Sequence, residues 1–183
     1  MLSVLVIDES RSRAGEICAG LALAGYQVAA ILAGSENLTA EVEKLQPDVI
    51  LIDTDSPSRD TLEHLAAMNK NMPRPVVIFT QEDGQATIRD AVKAGVSAYI
   101  VDGLDPKRIK PIVEVARARF EDTQALRREL DEISQKLSDR KLVDKAKGVL
   151  MKARGIDEDA AYHAMRKLAM ERGQTMAKVA RDV

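Results

Sequence analysis

The chain opens on a short apolar run, Val4-Leu5-Val6-Ile7, that ends at Asp8, and comparable runs follow through the first half. They are Val28 to Leu32, Val49 to Ile52 ending at Asp53, Val76 to Phe79 ending at Thr80, and Ala98 to Val101. Between them, residues 13–23, 38–45, 61–68 and 86–94 carry helical spacing, with Gly25, Pro47 and Gly95 as stops. Strands that are apolar throughout and alternate with helices predict a parallel sheet covered on both faces. Five such units predict a doubly wound, flavodoxin-like α/β domain with strand order 2-1-3-4-5. In that arrangement a site forms at the carboxyl ends of the strands, where Asp8, Glu9, Asp53 and Thr80 fall.

The period then changes. From Pro106 to about Arg154 only Pro111 and Gly148 interrupt a helical pattern. Leu126, Leu130, Ile133 and Leu137 step by four, three and four, the spacing of a coiled-coil seam, between charged neighbours. A single helix packed on its own domain is the plainer reading. The polar intervening positions favour a short coiled coil between two chains. Beyond Gly155, Asp157 is placed to cap a helix running to about Arg172, which Gly173 ends. Thr175 can cap a last helix, Met176 to Asp182. The expected organisation is an α/β domain over residues 1–120, a coiled-coil linker over 121–137 and a small all-α three-helix domain over 138–183.

Composition narrows the function. Of 183 residues, 45% are hydrophobic and 31% charged, a soluble balance. Aromatics are 3% with no Trp, which argues against a module that stacks many bases on rings. No apolar run is long enough to span a membrane, and no leader pattern opens the chain. Cys18 stands alone, so no internal disulfide forms and a reducing, cytoplasmic setting is expected. The net charge of −2 is uneven: residues 138–183 hold 11 Lys and Arg against 7 Asp and Glu, so the acidic excess lies in front. A polyanion is therefore expected on the back half.

Clustered carboxylates at strand ends suit a hard divalent cation bound through oxygen. Asp8, Glu9 and Asp53, with Pro57 four residues after Asp53, resemble the acidic site of response-regulator receiver (CheY-like) domains over about residues 1–120. The resemblance implies that Asp53 is the phospho-acceptor and that Asp8, Glu9 and Asp53 hold Mg²⁺. It implies that Thr80 bonds a phosphoryl oxygen and that Tyr99 is the switching aromatic. One position departs. Asp102 stands where the family has a lysine that pairs with the phosphoryl group. Two like unit charges ~4 Å apart repel by roughly 4 kcal/mol at a surface-like dielectric. Phospho-switching is therefore disfavoured, and the pocket is expected to act as a scaffold under another input.

The C-terminal stretch has its own signature: Ala146-Lys147-Gly148-Val149-Leu150-Met151, Arg154-Gly155, Ala160 to Met165, and Leu168-Ala169-Met170. Leu150, Met151, Leu168, Ala169 and Met170 read as a small core. Gly148 and Ala146 leave room for a helix or a nucleotide. From about Leu137 onward the chain strongly resembles the ANTAR domain, an RNA-binding module of bacterial antiterminators. Candidate RNA-binding residues are Lys141, Lys145, Lys147, Gly148, Arg154, Tyr162 and Arg166. Tyr162 can stack a base or pack between helices, and His163 reads as a surface residue. His64 has no partner at metal spacing and is given no role.

A receiver, a coiled coil and an ANTAR domain in this order resemble the AmiR/NasT family. Asp53 and the stretch 98–104 are most similar to its NasT branch. The resemblance implies a homodimer that binds leader-RNA hairpins and antiterminates a nitrate or nitrite assimilation operon. It further implies control by a NasS-like nitrate-sensor protein. The alternative input is phosphorylation by a partner kinase, with RNA output on another operon. A DNA-binding output would need a polar recognition helix, and Met165, Leu168 and Ala169 are too apolar for one. An enzyme is weaker still, because no nucleophile–base pair or phosphate-cradling glycine loop occurs.

Overall fold

The computed structural model describes residues 1–9, 13–102 and 105–183. The chain divides into two compact units, Met1–Thr123 and Gln124–Val183. The first is a five-stranded parallel sheet of β1 (Ser3–Asp8), β2 (Gln27–Leu32), β3 (Val49–Asp53), β4 (Val76–Thr80) and β5 (Ala98–Val101). The strand order is β2-β1-β3-β4-β5, as the alternation predicts. The linking helices are α1 (Ala14–Leu23), α2 (Leu38–Leu45), α3 (Arg59–Asn71) and α4 (Gln85–Lys93). A single 3-10 turn, Pro106–Arg108, leads into α5 (Ile109–Arg154).

Alternation along each strand sorts the apolar side chains onto two faces. Leu5, Ile7, Ile50, Ile52, Val76 and Ile78 pack under α2, α3 and α4, against Leu38, Val42, Leu65 and Met68. Val4, Val6, Val49, Leu51, Val77 and Phe79 meet Ile17 and Leu21 of α1 and Ile109, Val113 and Ala116 of α5. Burial on both faces explains why β3 and β4, and β1 after Ser3, carry no polar residue before their last position. Gly20 lets α1 approach closely: a Cβ there would lie 2.5 Å from Ile109 Cδ1 and 3.1 Å from Pro106 Cα.

The second unit comprises the rest of α5 with α6 (Glu158–Arg172) and α7 (Met176–Arg181). Its caps follow the sequence reading. Asp157 Oδ1 accepts from Ala160 N at 2.7 Å and Thr175 Oγ1 accepts from Lys178 N at 3.3 Å. Gly173 ends α6 in the left-handed conformation at φ 59°. The core is Ala146, Met165, Ala169, Val179 and Ala180, with Leu142, Val143, Leu150, Leu168 and Met176 packed around it.

This corrects the expected core at two points. Met170 is 75% exposed, because it lies on the α6 face turned away from Ala169. Met151 is half-buried and stands outside the cluster, whose apolar weight comes from Met165 and Val179. At Gly148 a Cβ would meet nothing within 4 Å, so among the described residues no helix of this chain packs there. Leu126, Leu130, Ile133 and Leu137 are 62%, 65%, 55% and 54% exposed within the single chain. Among the described residues no helix is long and apolar enough to cross a membrane.

Candidate aspartate pocket and nucleic-acid interface

β1 and β3 are adjacent in the sheet, and their parallel register sets Asp8 beside Asp53. Both end their strands, and both are buried, at 2% and 0% exposure. Thr80 ends β4 and is also buried. Its Oγ1 donates to the Asp55 carbonyl at 2.9 Å and accepts from Glu82 N at 3.2 Å. Tyr99 on β5 is half-buried, and its hydroxyl donates to the Glu82 carbonyl at 3.0 Å. Burial holds the Tyr99 phenol above its usual pKa, and the nearby acidic residues add to the effect. Thr80 and Tyr99 therefore both anchor the loop after β4. Asp102 is exposed and takes a left-handed φ of 68°. Gly103 and Leu104, the end of the stretch 98–104, lie outside the described residues.

The expected metal triad is not assembled. Glu9 follows β1, but its Oε1 accepts from Thr61 Oγ1 at 2.8 Å. Thr61 in turn belongs to a polar cluster. Ser58 Oγ lies 2.9 Å from Thr61 Oγ1, and Ser35 Oγ lies 3.0 Å from His64 Nδ1. His64, given no role from sequence, helps to satisfy buried Ser35. Asp53 Oδ2 is met by Arg13, whose Nε donates at 3.0 Å. Sequence reading missed Arg13, since it sat at the start of a predicted helix where only the apolar face was informative. Among the described residues no three His, Cys, Asp or Glu side chains gather closely enough to hold a metal ion. Asp8 and Asp53 stand side by side at the strand ends, while Glu9 meets Thr61 and Arg13 meets Asp53.

On the second unit, Lys141, Lys145, Arg154 and Arg166 are exposed, and none of them joins an ion pair among the described residues. Positions 141, 145, 148 and 152 step by four, three and four along α5, so Lys141, Lys145, Gly148 and Lys152 share one face. Gly148 leaves an open gap in that basic stripe. Lys147 differs. Its side chain is 15% exposed, and Nζ lies 2.9 Å from Asp144 Oδ1 and 2.6 Å from Glu158 Oε1. The bond to Glu158, then that to Asp144, raises the Lys147 pKa, and Lys147 lowers that of Asp144. Tyr162 is 40% exposed and stands edge-on to His163, with ring centres 6.0 Å apart. It lines a groove of about 490 Å³ with Arg140, Lys147, Thr175 and Met176. Arg140 was not singled out from sequence, because a surface arginine carries no pattern of its own.

The receiver model (response regulator receiver domain) matches residues 4–114, and the ANTAR domain model matches residues 131–183. The transcriptional regulatory protein PdtaR of Mycobacterium tuberculosis is 30% identical over 159 residues, covering 87% of this chain and 78% of that protein. The chain belongs to the response regulators with an ANTAR output domain. A nitrate regulatory protein of Klebsiella oxytoca is 38% identical over 72 residues, 39% of this chain and 18% of that protein. Among solved structures, a CheY-like receiver domain from Methanospirillum hungatei aligns with a TM-score of 0.58 at 20% identity. It covers 67% of this chain and 98% of that one, and it supports the fold alone. This is a regulatory family, not an enzyme family. Its receiver and ANTAR regions correspond to the α/β unit and the small helical unit.

Proposed function

We propose that this response regulator is a cytoplasmic RNA-binding antiterminator of a nitrate or nitrite assimilation operon. The observation that carries the reading is the basic stripe Lys141, Lys145 and Lys152 on α5, interrupted by Gly148 where the surface is open. Phosphates track such a stripe and supply affinity with little sequence reading. Arg154 and Arg166 extend the positive charge, and half-exposed Tyr162 offers a ring and a hydroxyl to a splayed loop base. Lys147 borders the same groove and keeps the helices in register. Met165 and Ala169 are buried, so they belong to the core of the small unit and not to its ligand-facing surface.

The seam Leu126, Leu130, Ile133 and Leu137 joins two copies, so that two modules meet two hairpins of one leader and effective concentration raises the joint affinity. The nitrate assignment is supported by the likeness to the Klebsiella oxytoca protein. The input is a NasS-like nitrate-sensor protein that sequesters the regulator until nitrate releases it. A second reading, phosphorylation at Asp53, is favoured by the retained Asp8, Asp53 and Thr80. It is opposed by the carboxylate of Asp102.

The test is titration of the full chain into a two-hairpin leader RNA, a one-hairpin RNA and duplex DNA over a range of salt. The proposal expects tighter binding to two hairpins than to one and a steep salt slope. Equal affinity for DNA and for the two-hairpin RNA would remove the RNA assignment.

A further inference from the structure

Asp53 is fully buried, and Arg13 just ahead of α1 reaches it with Nε 3.0 Å from Oδ2, while its own side chain is 23% exposed. A buried carboxylate is costly unless donors or a cation compensate it, and Arg13 supplies such a cation. Arginine is always charged, so this partner is present at every pH the fold survives. The residue that follows β5 is itself acidic, because Asp102 stands there, exposed. Thr61 holds Glu9 through Oε1, which leaves Asp8 and Asp53 as the carboxylates side by side. Mg²⁺ demands near-octahedral oxygen ligands. An Oδ2 already bonded by a guanidinium is poorly available to it, and the guanidinium repels it.

We propose that Arg13 is a resident counter-cation of this pocket, occupying the Asp53 carboxylate so that the pocket is stable without metal and takes up Mg²⁺ only when that arginine is displaced. Asp53 then serves first as an internal anchor for the start of α1. Reactivity at its Oδ2 requires the anchor to release. The inference stands apart from the RNA reading, since it concerns the α/β unit alone.

The experiment is calorimetric titration of MgCl₂ into the full chain, with thermal melts in EDTA and in Mg²⁺, for wild type, Arg13→Ala, Arg13→Gln and Arg13→Ala/Asp53→Asn. Removing a unit charge a few Å from the ion should tighten Mg²⁺ binding by about tenfold in Arg13→Ala. In EDTA that variant should melt about 5 °C below wild type and recover in Mg²⁺, whereas the wild-type melt should scarcely move. The double variant should lose the Mg²⁺ response, which places the ion at Asp53. Arg13→Gln, which keeps a donor without the charge, carries the same test if the alanine variant does not fold. Equal Mg²⁺ affinity in wild type and the Arg13 variants overturns the proposal. So does weaker binding of Mg²⁺ or beryllofluoride without Arg13, which would make it a ligand-binding group, and so does a double variant that still responds.

Discussion

Lys147 Nζ lies 2.6 Å from Glu158 Oε1, so one ammonium on α5 is tied to the first turn of α6. The same nitrogen reaches Asp144, 2.9 Å away, and the lysine is largely covered. A residue with two carboxylates at hand differs in its availability to RNA phosphate from Lys141 and Lys145, which are exposed and outside these pairs. Lys141→Ala and Lys145→Ala are each expected to lower hairpin affinity and to make the salt slope shallower by about one unit. Lys147→Ala should lower affinity with less change in slope, and Glu158→Gln should raise affinity by freeing the ammonium. Binding isotherms at several salt concentrations check this. An unchanged affinity in Lys147→Ala removes it from the contact set.

The seam makes a separate prediction. Leu130 is 65% exposed in the single chain, so Leu130→Glu should leave each unit folded. It should shift the species seen by sedimentation from dimer to monomer. Preference for two-hairpin over one-hairpin RNA should vanish with it, while affinity for one hairpin is kept. A monomeric wild type with the same two-hairpin preference would break the link between seam and RNA.

Two methionines of α6 test the packing of the small unit. Met165 is 1% exposed and Met170 75% exposed. Met165→Ala should destabilise that unit by about 2–5 kcal/mol, the range for a buried large-to-small change. Met170→Ala should be neutral within about 0.5 kcal/mol. Denaturant unfolding monitored by circular dichroism separates the two.

Much of this architecture is written in the chain's periods. The strands ending at Asp8, Asp53 and Thr80 were legible because runs buried on both faces admit a polar residue only where they leave the sheet. The α6 and α7 caps were legible because Asp157 and Thr175 have a local job that spacing reveals. What escaped was set by contacts between distant segments. Arg13 and Asp53 are 40 residues apart, and Thr61 lies 52 from Glu9, so no local pattern joins them. The bond from Thr61 to Glu9 was not legible for that reason: chain proximity of Asp8 and Glu9 says nothing of where the Glu9 side chain goes. Leu168, Ala169 and Met170 cannot all face one core, since adjacent helical residues point about 100° apart, and Met170 is the one left outside.

Alkaline stability offers a test of the α1–α5 side of the sheet. Tyr26 is 7% exposed, and its hydroxyl donates to Glu114 Oε1 at 2.8 Å. Burial, then the bond and charge of Glu114, pushes the phenol from its ordinary 10.0 up to about 12. A pKa raised in the folded state contributes stability that is complete below the unfolded value and is lost as pH rises through the folded one. The contribution from Tyr26 should therefore fade between 10.0 and about 12. Tyr26→Phe should be less stable than wild type at neutral pH, and the gap should narrow over that window. A gap constant with pH, measured by denaturant midpoints, would detach the effect from the phenol.

The most direct measurement of the central claim is titration of the purified chain into a two-hairpin nitrate-operon leader RNA, with and without the nitrate-sensor partner, nitrate and beryllofluoride. The account predicts tight binding by the chain alone, loss of binding when the partner is added, and recovery with nitrate. Binding that ignores the partner but responds to beryllofluoride would contradict it and move the input to Asp53. Absence of RNA binding in every condition would contradict the output assignment itself.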